Sequence, residues 1–303
     1  MRRPGGLERN LRAGAKIVQD NRGGCVEDTC MATARLGPGE WYGSVARAAR
    51  VGGLNFSIVH HPRARKIDLH EHALAYFTLL VAGKYEETHE DVTARYEPFS
   101  IAFHPPKLVH WDQMGDDTTL FAIELGEEWQ ARIGLHFDTS AWRLELQHGE
   151  AVWLAVRLLN QFVDEELDAL EADAVVSEML GIALRLVDRD RPQRAWVNAV
   201  KTLLRERYAE HLSLEVLAER AGVHPASLAR GFRLDEGATI GDYVSRLRVQ
   251  HACRLVSNDA MSLADVAAAC GFADQSHLTR VFKSVTGLTP GLFRERRILD
   301  SGG

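Results

Sequence analysis

Apolar and polar positions change rhythm along the chain. Between about Leu54 and Leu125, short apolar runs are separated by turn signals. Leu54–Val59, Ala75–Val81, Lys84–Thr88, Ser100–Phe103 and Thr118–Leu125 have the length and side chains of strands, and Ala82-Gly83, Pro98, Pro105-Pro106 and Gly115-Asp116-Asp117 break them. Short strands at this spacing predict a small β-barrel or jelly roll. From Glu150 the rhythm is helical. Val152, Val156, Leu159 and Val163 recur at spacings of 4, 3 and 4 within Glu150–Asp164, and Val175, Met179, Ile182 and Leu186 repeat that spacing within Glu171–Asp188. Such a stripe suits a seam between two copies of the chain, and equally suits packing within one. Arg189–Arg194 is a polar linker with a helix-stopping Pro192, and a new helix starts near Trp196 with Val197, Val200, Leu204 and Tyr208 on its inner side. Residues 1–38 show little periodicity and are expected to lie outside any fold; Met31 is a second candidate start.

The last third contains an internal repeat. Ser213, Ala218, Gly222, Leu228, Arg230 and Phe232 match Ser262, Ala267, Gly271, Leu278, Arg280 and Phe282, with one extra residue at the second turn. Each copy reads as two short helices. A serine cap opens the first, a small residue lets the pair cross, and a glycine of positive φ turns the chain. The second helix begins at Pro225 in one copy and after Asp274 in the other. Leu228 and Phe232, like Leu278 and Phe282, lie four apart and point inward. Ala226, Ser227, Ala229 and Arg230, and in the second copy Gln275, Ser276, Thr279, Arg280 and Lys283, are left facing out. A helix with this face fits a DNA major groove, where Gln reads adenine and Arg reads guanine.

This segment resembles the DNA-binding domain of AraC/XylS-type transcription regulators. The resemblance is carried by the two helix-turn-helix units, the long intervening helix over about Ile240–Val256 with Arg246-Leu-Arg248 and Ala252-x-x-Leu255, the Gly271-Phe272 pair, Arg280-Val-Phe282-Lys283, and the ending Gly287-Leu-Thr-Pro290-Gly-Leu-Phe293-Arg294. It covers about a third of the chain. It implies an α+β multidomain protein: an N-terminal extension (1–38), a cupin-like β-barrel or jelly-roll sensor (39–127), a helical linker and dimerisation segment (128–192), and an all-α domain with two tandem helix-turn-helix units (193–298). The implied partners are double-stranded DNA, a small-molecule effector, a second copy of the chain and, for an activator, RNA polymerase. No membrane, cofactor or catalytic residue is implied, and the expected location is the cytoplasm.

Charge changes this picture little. From Ala195 onward the chain holds 14 Lys+Arg against 12 Asp+Glu, a balance of +2, while the whole carries −6 and the remainder therefore −8. DNA affinity must then come from clustering of Arg230, Arg233, Arg246, Arg248, Arg280, Lys283, Arg294, Arg296 and Arg297, helped by helix N-termini at phosphates. Cys25, Cys30, Cys253 and Cys270 form no CxxC pair. Cys253 and Cys270 fall on buried helix faces, as expected in a reducing compartment. No run reaches the ~20 apolar residues of a membrane-spanning helix.

His70-Glu-His72, Gly83-Lys-Tyr85 and His104-Pro-Pro-Lys-Leu-Val-His110 lie within the strand-rich region. This is similar to the cupin pattern of an HxH pair, a glycine and a distant His, except that Tyr76 stands about where the cupin Glu ligand would be. Three readings stay open. His70, His72 and His110 could complete a three-nitrogen metal site; they could line an effector pocket with Tyr76, Tyr85 and Trp111; or they could be barrel-mouth histidines without a ligand. A metal-dependent cupin enzyme with an accessory DNA-binding domain, and an effector-independent DNA binder, are the alternatives to a ligand-responsive regulator.

Overall fold

The computed structural model describes residues 16–17, 33–134, 144–145, 149–187, 194–256 and 260–295. Its strands are β1 (Lys16–Ile17), β2 (Ala34–Leu36), β3 (Glu40–Trp41), β4 (Ser44–Val51), β5 (Leu54–His61), β6 (Arg65–His72), β7 (Tyr76–Ala82), β8 (Tyr85–His89), β9 (Val92–Tyr96), β10 (Ser100–His104), β11 (His110–Met114), β12 (Thr118–Leu125) and β13 (Leu144–Glu145). Its helices are α1 (Glu127–Ile133), α2 (Glu150–Asp164), α3 (Ala169–Val187), α4 (Ala195–Glu206), α5 (Leu214–Ala221), α6 (Pro225–Glu236), α7 (Ile240–Val256), α8 (Leu263–Ala269), α9 (Gln275–Thr286) and α10 (Pro290–Glu295). The chain divides into two compact units. The first comprises residues 1–97, 101–145 and 158–177, and the second 98–100, 146–157 and 178–303. The segment 128–192, expected as a separate linker, is shared between them.

The first unit is the expected β structure. A six-stranded sheet in the order β13-β10-β7-β12-β5-β4 faces a five-stranded sheet in the order β2-β6-β11-β8-β9. Val59, Leu80 and Leu120 from one sheet meet Ile67, Tyr85, Tyr96 and Met114 from the other in a shared core. β12 is buried along its whole length. Its other face is covered by helix, where Phe121 stacks with Phe56 and packs on Phe162, and the Trp129 indole donates to Asp173 at 2.6 Å. A strand covered on both sides keeps a continuous apolar stretch, here Leu120–Ile123, flanked by the buried polar Thr118, Thr119 and Glu124.

One expectation changes. β2 pairs in parallel with β6, placing Ala34 beside His70 and Leu36 beside His72, so the fold begins inside the segment assigned to the extension. Within the stripe on α2 and α3, Val152, Val156, Leu159 and Met179 are buried in the single chain, while Val163 and Ile182 are half-buried. The linker 189–193 lies outside the described residues.

The second unit holds the two helix-turn-helix pairs. Val197, Val200 and Leu204 of α4 pack with Leu217 and Ala218 of α5, Leu228 and Phe232 of α6, and Tyr243 and Leu247 of α7. Gly231 faces the Trp196 ring, where a Cβ would come within 2.8 Å of it, so α4 and α6 approach as closely as they do only because this residue lacks a side chain. Gly222 and Gly271 take φ of 65° and 75° and turn the chain between the helices of each pair, as the repeat predicts. Cys253 and Cys270 are buried free thiols.

Candidate nucleic-acid interface and barrel site

Each recognition helix is anchored at its start and along one face. Asp274 accepts from the His277 amide at 2.7 Å to cap α9, and His224 takes that place for α6, its Nδ1 accepting from the Ala226 amide at 3.3 Å behind Pro225. Ser213 and Ser262 cap α5 and α8 through the amides of Val216 and Asp265. Leu228 and Phe232, and Leu278 and Phe282, are fully buried. Rotation about each helix axis is thereby set. Ala226, Ser227, Ala229 and Arg230 of α6 are exposed, as are Gln275, Ser276, Arg280 and Lys283 of α9. Thr279 is half-buried, its hydroxyl donating to the Gln275 carbonyl at 2.8 Å.

The basic residues do not all serve this face. Arg248 donates to the carbonyls of Tyr208 and Glu210 at 2.8 and 3.1 Å, and Arg294 to those of Val256 and Met261 at 2.8 and 2.7 Å. Both guanidinium groups fasten loops to helices, which removes them from the cationic cluster expected from the sequence. Arg246 lies 3.7 Å from Glu150. Arg296 and Arg297 fall outside the described residues.

In the first unit, His70, His72 and His110 come together as the HxH spacing predicts, each at most 4% exposed. β6 and β11 are antiparallel neighbours, with His110 opposite His70. One ligating nitrogen from each of the three lies within 4.8 Å of the others. Tyr76 joins them, its hydroxyl 3.4 Å from His110 Nε2, and its ring stacks on His104 at 4.3 Å. Tyr85 donates towards Glu87 and Asp112 at 3.0 and 3.3 Å. Trp111 does not join. It sits on the opposite face of β11 from His110 and Asp112, with Lys66 over its ring at 4.5 Å.

Three buried groups at this site were not singled out from the sequence. His104 and Glu87 are paired at 2.7 Å with no exposure, and Asp112 lies 3.6 Å from His70 Nε2 and 3.9 Å from His110 Nε2. Glu87 lies two residues along its strand from Tyr85, and Asp112 two from His110, so each shares a face with a predicted site residue once the strands are placed. Burial dominates the protonation of the cluster. It holds His70 down at about 4 and His110 at about 3, the latter helped by repulsion from His70, and keeps His72 well below the usual imidazole range. Burial, then the neighbouring Glu87, raises the Asp112 carboxyl well above its ordinary value, and burial raises Tyr76 and Tyr85 likewise. The interior is thus lined by neutral imidazoles with lone pairs to offer.

A family model described as "Helix-turn-helix domain" matches residues 217–296. The probable transcription factor PqrA of Proteus vulgaris is 34% identical over 86 residues, which are 28% of this chain and 70% of that protein. The chain belongs to the AraC/XylS family. The transcriptional activator RhaS of Escherichia fergusonii is 28% identical over 162 residues, 52% of this AraC/XylS chain and 58% of RhaS. YijO of Escherichia coli K12, an uncharacterized transcriptional regulator, is 27% identical over 231 residues, 72% of this chain and 80% of that one. Across RhaS and three further curated relatives, the match spans 49% to 66% of the relative's length.

Proposed function

We propose that this AraC/XylS protein is a sequence-specific, double-stranded-DNA-binding transcription regulator of the cytoplasm that reads two adjacent major-groove segments and responds to a small ligand held in its N-terminal barrel. The observation that carries the reading is the tandem of capped, core-anchored recognition helices with a polar outer face on each. Two such helices suit a bipartite half-site with its blocks about one helical turn, ~34 Å, apart. Gln275 and Arg280 are the base-reading groups of α9, Lys283 suits a phosphate, and Ala226, Ser227, Ala229 and Arg230 give α6 a smaller and less selective face. The buried cluster of His70, His72, His110, Tyr76 and Tyr85 is the ligand site. Ligand can change DNA affinity only by binding one arrangement of the protein better than another.

The test is affinity selection of the full-length protein on a randomised duplex pool at near-physiological salt. An enriched motif of two blocks about one turn apart is the expected result; a pool that stays random after several rounds overturns the reading.

A further inference from the structure

We infer that a cleft beside the second recognition helix binds a small organic carboxylate with an apolar body, and that such an acid displaces DNA. The site stands on the cleft alone. Its effect on DNA rests on the reading of Arg280 as a base-contacting group.

The cleft lies wholly within the second unit, between the first half of α2, the first half of α7 and the second half of α9. It measures about 510 Å³, inside the range of roughly 300–1,000 Å³ that holds organic ligands. Helical spacing builds it. Trp153 and Arg157 lie four apart on α2, Asp242 and Arg246 four apart on α7, and Arg280 and Ser284 four apart on α9, so one face of each helix turns into the same space.

Two kinds of surface meet there. Trp153 and Leu154 are buried, and Val281 and Val285 half-buried, which makes an apolar wall. Beside it stand the guanidinium groups of Arg157, Arg246 and Arg280, opposed by the carboxylates of Glu150 and Asp242 alone. Asp242 is already engaged, its carboxylate accepting from the Thr239 hydroxyl at 2.6 Å at the start of α7. Glu150 stands 3.7 Å from Arg246, longer than the ~2.7–2.9 Å of a charge-assisted hydrogen bond. Among the described residues, Arg280 has no carboxylate within ion-pair distance. The Trp153 Nε1 is buried with no hydrogen-bond partner among them, although a buried indole N–H ordinarily finds one.

Positive charge is therefore in excess, and a buried donor lacks an acceptor. A carboxylate answers both, since its two oxygens accept from guanidinium groups in the forked geometry that arginine favours. Its hydrocarbon or aromatic body would lie on Trp153, Leu154 and Val281. A bare phosphate would leave that wall wet, and a neutral molecule would leave the arginines unanswered.

Arg280 connects the cleft to DNA. It is exposed on α9, where the donors that would hold a carboxylate are those that would read guanine. Acid and cognate DNA thus exclude one another.

The full-length chain, without DNA, is titrated calorimetrically with octanoate and 4-phenylbutyrate, and with octanol, 4-phenylbutanol and inorganic phosphate for comparison. At least one acid should bind saturably with a Kd below about 1 mM, its alcohol and inorganic phosphate at least about tenfold more weakly. Arg246→Gln should weaken the acid about tenfold. Trp153→Phe, which keeps a ring and removes the N–H, should weaken the acid and leave the alcohol unchanged. Ser284→Trp, which plants an indole in the cleft from an exposed position, should abolish binding. Should Ser284→Trp fail to fold, Arg246→Gln decides. The proposal is overturned if neither acid binds, if the alcohol matches its acid, or if the acid binds Ser284→Trp or Arg246→Gln at full strength, which places it elsewhere. Inorganic phosphate binding as tightly as the acids overturns it too, and makes the cleft a seat for a DNA phosphate. On a selected DNA site, saturating acid should lower affinity at least about fivefold, and that DNA should lower affinity for the acid by the same factor. Acid binding as expected with DNA affinity equal within twofold overturns the displacement and leaves the site. Absence of any DNA binding removes the regulator reading, while the titration without DNA still decides the cleft.

Discussion

Arg248 and Arg230 show how reach, not residue type, sets the role of a basic side chain. Arg248 spends its donors on the carbonyls of Tyr208 and Glu210, whereas Arg230 stands on the outer face of a recognition helix. Replacing Arg248 by Ala should lower stability by about 1–3 kcal/mol, read in denaturant, without changing base preference. Replacing Gln275 by Ala should relax preference at one base pair, costing about 1–3 kcal/mol there and little on other sequences; equal loss on all sequences argues against direct readout. His61 belongs to the same scale. Burial, with Arg65 and then His60 adding repulsion, holds it at about 4. Below an unfolded value near 6.5 the unfolded chain binds a proton that the folded chain refuses, so stability falls as pH drops from 6.5 towards 4, by on the order of 3 kcal/mol for this residue. Comparing urea midpoints of the unaltered chain and His61→Gln at pH 7 and pH 4.5 isolates that share, because Glu124, held up to about 7 and of opposite slope, is common to both. The histidine trio was legible in the sequence because HxH spacing and strand alternation say the same thing. Asp112 and Glu87 were not, because a carboxylate on an alternating strand looks like its solvent face until the neighbouring strands are placed.

Elements were legible where one period ruled them. α2 falls at the residues its periodicity gives, α7 at those the family resemblance implies, and both recognition helices begin at their predicted Pro225 and Asp274 signals. β4 was missed because Ser44–Val51 is rich in Ala and Arg, a composition tolerated at the edge of the six-stranded sheet, where Ser44, Ala46 and Arg50 are exposed and none of its residues is fully buried. β9, at the edge of the five-stranded sheet, is short and polar for a similar reason, whereas β11 lies inside that sheet and owes its polarity to the buried His110 and Asp112. Two elements invite a test by stability. Ser262→Ala removes the cap of α8 and should cost about 1 kcal/mol. Gly231→Ala sets a methyl against the Trp196 ring and should cost about 1–3 kcal/mol by forcing α4 from α6. Lowered thermal midpoints check both, and an unchanged midpoint for Gly231→Ala would refute the close approach.

For the whole molecule, charge and readout are nearly separate. With −6 overall and only +2 beyond Ala195, DNA is attracted by a local face and not by the net field. Lys283→Ala should weaken binding to all sequences alike and lower the slope of log affinity against log salt by about one; a change confined to one sequence would make it a base contact. The unlike faces of α6 and α9 carry a consequence for the genome. On the proposed reading, a half-site met by Ala226, Ser227, Ala229 and a single arginine, Arg230, on one side and by Gln275 and Arg280 on the other would hold its information unevenly. Substitutions in one block would accumulate almost silently while those in the other are selected against, so the targets of this protein should look like one well-kept word beside a blurred one.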